Sequence, residues 1–281
     1  MRTKRFMIRT LVAVALVPLG DIAVSFGQGC GDDLSESTTA GQRVTLGTRV
    51  TSDDDLSKPF VNAQGWSIAL DRVLVSTGPV YYFDGEPPDL ARRSPAQPPS
   101  LLRRWLTIPP AYAHPGHYQA GNAMGQMLEP AAFDLVAGDA VLSNGEGVTG
   151  PYRSATVMFH SPAAGELAQA LGDNVVVVEG TADKEGETRK FRASAATLDV
   201  TNANGNPAVE ACEFTPADVG SDGTIVVHIS PSVWFDQVDF SGVPASTGDY
   251  EDLPSGGSVH QAFTLLGVTR ASAYTFSFEG S

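Results

Sequence analysis

Apolar and polar positions alternate over short stretches along most of the chain, and residues that favour turns separate these stretches. Between residues 65 and 83, Trp66, Ile68 and Leu70 alternate with small or polar residues, which is typical of a strand with one buried face. Gly78-Pro79 predicts a bend within this run. Comparable β-prone runs predict strands over residues 43–50, 133–142, 152–159, 175–181, 188–200, 224–229, 232–240 and 273–278.

The strongest pairing signal lies between the predicted strands 175–181 and 188–200. They flank the turn sequence Asp183-Lys184-Glu185-Gly186, which predicts a hairpin. A short helix is predicted over 259–266. Many short strands without a fixed repeat indicate a mostly all-β fold, a β-sandwich or open barrel with one or two short helices. No break in composition within residues 43–281 requires a second domain, so we expect a single one.

Residues 84–115 interrupt the strand pattern as a long proline-rich insertion. The segment holds eight of the 19 prolines, and proline denies backbone donors to helices and sheets alike. At most one helical turn, over 101–106, is expected there. Its basic side chains either bind an anion or fasten the insertion to the acidic body of the protein, which we favour. Separately, Arg103, Arg104 and Trp105 could form a partner-binding surface.

The first 42 residues have the features of a bacterial export signal. A basic stretch precedes an apolar run of about nine residues, 11–19, which is too short to span a bilayer. Gly27-Gln28-Gly29-Cys30 and a polar segment follow. This region resembles the processing site of bacterial lipoproteins, although Gly27 stands where that family prefers leucine. The resemblance implies removal of residues 1–29, a lipid on Cys30, a polar tether over 30–42, and a periplasmic or outer-membrane-anchored protein.

The chain has two cysteines, Cys30 and Cys212, and two arrangements are open. If Cys30 carries a lipid, Cys212 stands alone and is most simply a small buried apolar residue. If Cys30 carries no lipid, an oxidising compartment could pair the two thiols.

The net charge argues against one class of partner. The formal charge is −14, and the first 29 residues contribute four basic and one acidic group, a net of +3, so their removal leaves −17. So acidic a surface repels nucleic acid and anionic lipid and attracts cations. We therefore expect no nucleic-acid partner, and membrane contact only through an N-terminal lipid.

The candidate chemistry lies in His114-Pro115-Gly116-His117. Pro-Gly favours a type II turn, whose flanking residues have Cα atoms within about 7 Å, so both imidazoles could bind one ion. Met124 and Met127 follow, and an i, i+3 spacing would give them one face if residues 121–128 were helical. Imidazole with thioether suits copper, with zinc or iron less favoured. The alternative is a polar turn followed by methionines that fill the core.

These observations predict a non-catalytic protein of the bacterial envelope. The leading hypothesis is an exported, lipid-anchored or free protein that binds copper for delivery, storage or protection. The alternative is a module that binds another envelope protein or a glycan and needs no metal. An enzyme ranks third, because no Gly-x-Ser-x-Gly, His-Glu-x-x-His or phosphate-binding loop occurs. A Ser-His-Asp site could nevertheless assemble from distant segments. The run Asp53-Asp54-Asp55 is interpreted as solvated.

Overall fold

Strands dominate the structure, a computed structural model that describes residues 41–87, 120–245 and 248–281. The strands are β1 (Arg43–Ser52), β2 (Phe60–Val61), β3 (Ser67–Phe83), β4 (Ala123–Met127), β5 (Ala131–Asp134), β6 (Ala140–Val148), β7 (Gly150–Phe159), β8 (Asn174–Lys184), β9 (Glu187–Ala196), β10 (Ala208–Val219), β11 (Gly223–Ile229), β12 (Glu251–Asp252) and β13 (Tyr274–Gly280). The helices are short: α1 (Ala168–Leu171), α2 (Pro231–Phe235) and α3 (Ser258–Phe263), which a π-helical turn continues over Thr264–Val268. In the described ranges, four 3₁₀ turns lie at Leu135–Ala137, Thr197–Val200, Phe240–Gly242 and Ala271–Ala273. The prediction of a mostly β protein with few short helices is confirmed.

Backbone pairing joins eight of these strands in a closed circuit. The order is β3–β4–β6–β1–β11–β13–β10–β7, and β7 pairs with β3 again. Within the circuit β1–β11 and β10–β13 are parallel and the other pairs are antiparallel. Strands β8, β9 and β12 extend from the first half of β3. Because β3 pairs with β8 through residue 75 and with β7 from residue 77, this one strand belongs to both parts.

Two runs of buried aromatic side chains fill the interior. The ring contacts of the first run join Tyr82, Tyr152, Phe214 and Phe276 at centroid distances of 5.7–6.3 Å. The second run packs α2 and α3 against the sheet and consists of Trp66, Phe191, Phe235, Phe240 and Phe263. Both belong to one contiguous apolar core, so burial of these rings supplies much of the driving force for folding.

Three of the predicted elements match the structure well. The hairpin forms from β8 and β9, and its turn residues Glu185 and Gly186 both have positive φ, as the tightest hairpin turns require. The predicted helix near 259–266 is α3 with its π-helical turn. The predicted bend at Gly78-Pro79 coincides with a register shift between β3 and β7 at Thr77/Val80.

Two predicted strands are wrong, and one strand was missed. Residues 133–142 are not a single strand, because Asp134 caps a 3₁₀ turn over Leu135–Ala137 that separates β5 from β6. Residues 232–240, predicted as a strand, form α2 and a 3₁₀ turn, because Pro231 begins the helix and Trp234, Phe235 and Val238 are buried at helical spacing. Strand β10 was missed. Its pairing with β7 shifts register twice and Ala211 has positive φ, so the apolar positions of β10 do not alternate regularly.

The described residues belong to one compact unit that spans Thr38–Ser281. Within the described ranges no helix is both long enough and apolar enough to cross a membrane.

Candidate functional site

The chain segment that contains the proline-rich insertion leaves and rejoins the sheet at four hydrogen-bonded residues, Asp84, Gly85, Ala120 and Asn122, which we call the paired base. Beyond the β3–β4 ladder, the Asp84 amide donates to the Asn122 carbonyl at 3.2 Å, and the Gly85 amide donates to the Ala120 carbonyl at 3.0 Å. The Asp84 carboxylate accepts from the backbone and side-chain nitrogens of Asn122 at 2.6 and 2.9 Å. The two ends of the insertion are therefore fixed next to each other, although 34 residues separate Gly85 from Ala120 in the sequence.

Gly121 makes this base possible. Its φ of +78° is unfavourable for residues with a side chain, and a Cβ atom there would collide with the Asp84 carboxylate. Ser154 on the neighbouring strand β7 donates its hydroxyl to the Gly85 carbonyl at 2.6 Å and ties the base to the sheet. These contacts fix the four residues of the paired base relative to the sheet.

Met124 and Met127 lie in β4, directly after this base. A helix over 121–128, which would have given them a common face, is wrong. Tyr82 faces Gly125 and Phe83 faces Ala123, so Met124 is an extra residue in a β-bulge. The extra residue reverses the alternation, so Met124 and Met127 are both buried, at 7% and 0% exposure.

Tyr152 holds the bulge in place. Its hydroxyl lies 2.8 Å from the Met124 carbonyl and 3.0 Å from the Val148 carbonyl, so one proton is shared between two acceptors. Burial raises the pKa of Tyr152 to about 12, which keeps the hydroxyl protonated as a donor.

An open hollow lies beside the base, between the start of β1, β4 and the end of β6. Its volume is about 530 Å³. Met124 lines it from the core side, and Arg43, Gln126 and Glu146 contribute polar groups. The hollow thus has a methionine and a glutamate among its lining residues, next to the point where the insertion rejoins the sheet.

The other predicted site residues fall outside the described part of the chain. These are the metal ligands His114 and His117, the lipidation site Cys30, and the surface residues Arg103, Arg104 and Trp105. Among residues 41–87, 120–245 and 248–281, no three His, Cys, Asp or Glu side chains form a group that could hold a metal ion.

Two of the described histidines, His228 and His260, already have side-chain partners. The Nε2 atom of His260 lies 3.1 Å from the Ser194 carbonyl and 3.7 Å from the Asp199 carboxylate. His228 is bonded through both ring nitrogens, from Nδ1 to the Asp53 carboxylate at 3.0 Å and from Nε2 to the Ser277 hydroxyl at 2.9 Å. The Glu129 carboxylate accepts from the Ser143 hydroxyl.

The run Asp53-Asp54-Asp55 is more engaged than its sequence indicates. Asp54 accepts from the Ser232 amide and hydroxyl at 2.7 and 2.8 Å, at the start of α2. Asp55 pairs with Lys58 at 2.6 Å, and this contact together with Ser57 lowers its pKa to about 2. The contact from Asp53 to His228 joins segments 175 residues apart, which no local motif could have revealed.

Cys212 is fully buried and its thiol lies 3.4 Å from the Val209 carbonyl. Burial raises the pKa of this thiol to about 12. Cys212 is therefore packed as an apolar residue of the core among the described residues, and Cys30 lies outside them.

Comparisons with known proteins give little guidance. A scan against protein-family models and a search of curated proteins both found no match. Among solved structures the chain is similar to MbnP from Methylosinus trichosporium, with 11% sequence identity and a TM-score of 0.37, over 85% of this chain and 99% of that one. A likeness this distant does not carry a function or a site from that protein to this chain.

Proposed function

We propose that this chain is an exported protein that binds a metal ion, copper in preference to zinc or iron, for delivery, storage or protection. His114 and His117 would be the primary ligands and Met124 a secondary one. Met127 is fully enclosed by the core, so we assign it to packing and keep Met124, which lines the hollow, as the thioether donor.

The observation that carries the proposal is the sequence His114-Pro115-Gly116-His117 directly before the paired base. Only two residues, Tyr118 and Gln119, separate His117 from Ala120, so the Cα atoms of His117 and Ala120 are at most about 11 Å apart. Ala120 is fixed by its hydrogen bond with Gly85, and Met124 follows four residues later. Covalent connection therefore limits how far His117 can lie from Ala120 and from the start of β4.

The donor types in this region suit copper. Imidazole nitrogen and thioether sulfur together favour Cu(I), whereas zinc prefers further nitrogen, thiolate or carboxylate ligands. The acidic chain, at −14 overall, also raises the local concentration of cations around any such site.

Export and lipid attachment belong to the same proposal and rest on residues 1–30. A copper-binding protein of the envelope would meet its ion outside the cytoplasm, and a lipid on Cys30 would hold it at the membrane. Expression of the full chain in a bacterial host, followed by mass spectrometry of the membrane fraction, tests this step. The expected mass is that of a chain beginning at Cys30 with an added lipid, and Cys30→Ser should release the protein from the membrane.

Calorimetric titration of the exported chain with Cu(I), Cu(II) and Zn(II) tests metal binding. We expect one tightly bound copper ion in the natural chain and none in a His114→Ala/His117→Ala variant. Met124→Leu should weaken Cu(I) binding about tenfold and leave Zn(II) unchanged, because only the soft ion benefits from sulfur. Met127→Leu, in the same strand, is the matched control and should bind like the natural chain.

The same titration also distinguishes the alternative function. Absence of copper binding, or equal binding by the double-histidine variant, would overturn the metal proposal. An envelope module that binds a protein or glycan through Arg103, Arg104 and Trp105 would then be the better interpretation, and these three residues would be substituted next.

A further inference from the structure

Three side chains on one face of the sheet form a continuous hydrogen-bonded chain away from the insertion. Asp53 directly follows β1, His228 lies in β11 and Ser277 lies in β13. The Asp53 carboxylate is 3.0 Å from Nδ1 of His228, and Nε2 of His228 is 2.9 Å from the Ser277 hydroxyl. This is the order of contacts in which a serine is activated by a histidine that an aspartate orients.

We propose that Asp53, His228 and Ser277 form a nucleophilic site for acyl transfer from small carboxylic esters. The proposal is independent of metal binding, because it uses none of the residues of the insertion or of the hollow. Ser277 would be the nucleophile and His228 the general base. Asp53 would be a positioning residue, since it acts on the ester only through His228.

The sheet register explains why these residues meet. In β1–β11, Thr51 faces His228, so Asp53 lies just beyond the end of β1 on the strand next to His228. In β11–β13, Val226 faces Ser277 and His228 faces Thr275, so His228 and Ser277 are diagonal neighbours, a spacing that long side chains can bridge. The Asp53 amide donates to the Ile229 carbonyl at 3.0 Å, which fixes the carboxylate beside the ring.

The contacts also determine which nitrogen of His228 carries the proton. An ionised carboxylate can only accept, so Nδ1 must be the donor to Asp53. In the neutral ring Nε2 is then free to accept the proton of the Ser277 hydroxyl. A second contact, from the Thr275 hydroxyl to Asp53 at 3.4 Å, holds the carboxylate in this orientation.

The site is open to solvent. The side chains of His228 and Asp53 are 26% and 44% exposed, and Ser277 is half-buried. Arg49 lies in the same cross-strand row as Ser277, with Val226 between them, and its guanidinium reaches Glu279 in β13 at 2.8 Å. Arg49 also contacts the Asp139 carboxylate at 3.3 Å, so two acidic side chains already share its positive charge.

The reaction balances with an ester and water alone. The Ser277 oxygen bonds to the carbonyl carbon while its proton passes to Nε2 of His228. The bond to the leaving alcohol breaks, and the alcohol takes that proton. Water then attacks the acyl-serine through the same base, which releases the acid and restores the hydroxyl. A serine activated in this way favours esters over amides, whose leaving group is much poorer, and the open face suits small acyl groups.

The test is covalent labelling of the full exported chain with a fluorophosphonate probe, which forms a Ser277 oxygen–phosphorus bond and releases fluoride. Mass spectrometry of the digested protein locates the label, and hydrolysis of p-nitrophenyl acetate measures turnover. We expect the label on Ser277 and on no other serine. The matched control is Ser272→Ala, which removes an exposed serine just before β13. In this variant Ser277 should be labelled as fast as in the natural chain.

Variants separate a catalytic role from a structural one. His228→Gln should slow labelling about 100-fold or more, the usual contribution of a general base. Asp53→Asn should also slow labelling. Asp53→Glu should recover part of the rate, and such a recovery is not expected if Asp53 has only a structural role. Circular dichroism checks that each variant is folded. An unlabelled Ser277 in the natural chain, or labelling that is equally fast without His228, would overturn the proposal.

Discussion

Asn62 is a buried polar residue whose replacement should clearly lower the free energy of unfolding. It is 6% exposed and lies between β2 and β3. Its side-chain nitrogen donates to the carbonyls of Phe235 and Val238 at 2.9 and 2.8 Å. Its oxygen accepts from the amides of Gln64 and Trp66 at 3.1 and 2.9 Å. One amide group therefore ties the turn before β3 to the end of α2.

Asn62→Ala removes all four hydrogen bonds, but the energetic cost differs among the four former partners. The Phe235 carbonyl keeps its bond from the Val238 amide at 3.0 Å, and Gln64 is exposed enough to bond water. The Val238 carbonyl and the Trp66 amide lose the partner described here, at about 1–3 kcal/mol for each buried group. We expect a loss of about 2–5 kcal/mol, or a fall in Tm of about 5–15 °C for a domain of this size.

Asn62→Asp should make the stability of the fold depend on pH, and the direction of that dependence can be tested. The introduced carboxylate would face two carbonyl oxygens, so the folded protein favours its protonated form and raises its pKa above the unfolded value of about 4. The penalty relative to the natural chain is therefore smallest below that value and grows as pH rises through the folded pKa.

Urea unfolding followed by tryptophan fluorescence at pH 4.5 and pH 7 measures both effects. Asn144→Asp, on the exposed side of β6, adds the same charge without burial and is the control. A loss of less than about 1 kcal/mol for Asn62→Ala would refute the assignment of Asn62 as a buried tie. Equal pH dependence of the Asn62→Asp and Asn144→Asp variants would refute the electrostatic part.

Three further predictions follow from local contacts. Gly121→Ala should cost about 1–3 kcal/mol in urea unfolding, because its φ is positive and its Cβ would displace Asp84. Cys212 should not react with a thiol reagent at pH 8 in the folded protein, because burial raises its pKa to about 12, and should react fully in urea. Tyr152→Phe should lower Tm by a few degrees, at about 1 kcal/mol for the lost donor to the Met124 carbonyl.

The fold was accessible from the sequence wherever a signal was local. The β8–β9 hairpin combines two β-prone runs with a turn that needs positive φ, so its residues specify it without help from the rest of the chain. The buried alternation of Trp66, Ile68 and Leu70 likewise identifies β3. These patterns are enough to predict a mostly β protein.

Irregular strands and tertiary contacts were not accessible in this way. The bulge at Met124 changes which residues face the core, and its position depends on pairing with Tyr82 and Phe83 far upstream. Asp53, His228 and Ser277 meet only because β1, β11 and β13 pair in one particular register. A shift of one residue would turn a strand's side chains to the opposite face, so sequence periodicity cannot supply such contacts.

The paired base at Asp84, Gly85, Ala120 and Asn122 makes the sheet structurally independent of the length and sequence of the segment between Gly85 and Ala120. Because the hydrogen bonds of the base already bring its two ends together, the length between them adds little to the cost of folding. That segment can be lengthened, shortened or exchanged while the eight-stranded circuit keeps its register. The fold can thus act as an invariant holder for a variable binding segment, and a short glycine-containing turn grafted between Gly85 and Ala120 should leave a stable protein without His114 and His117.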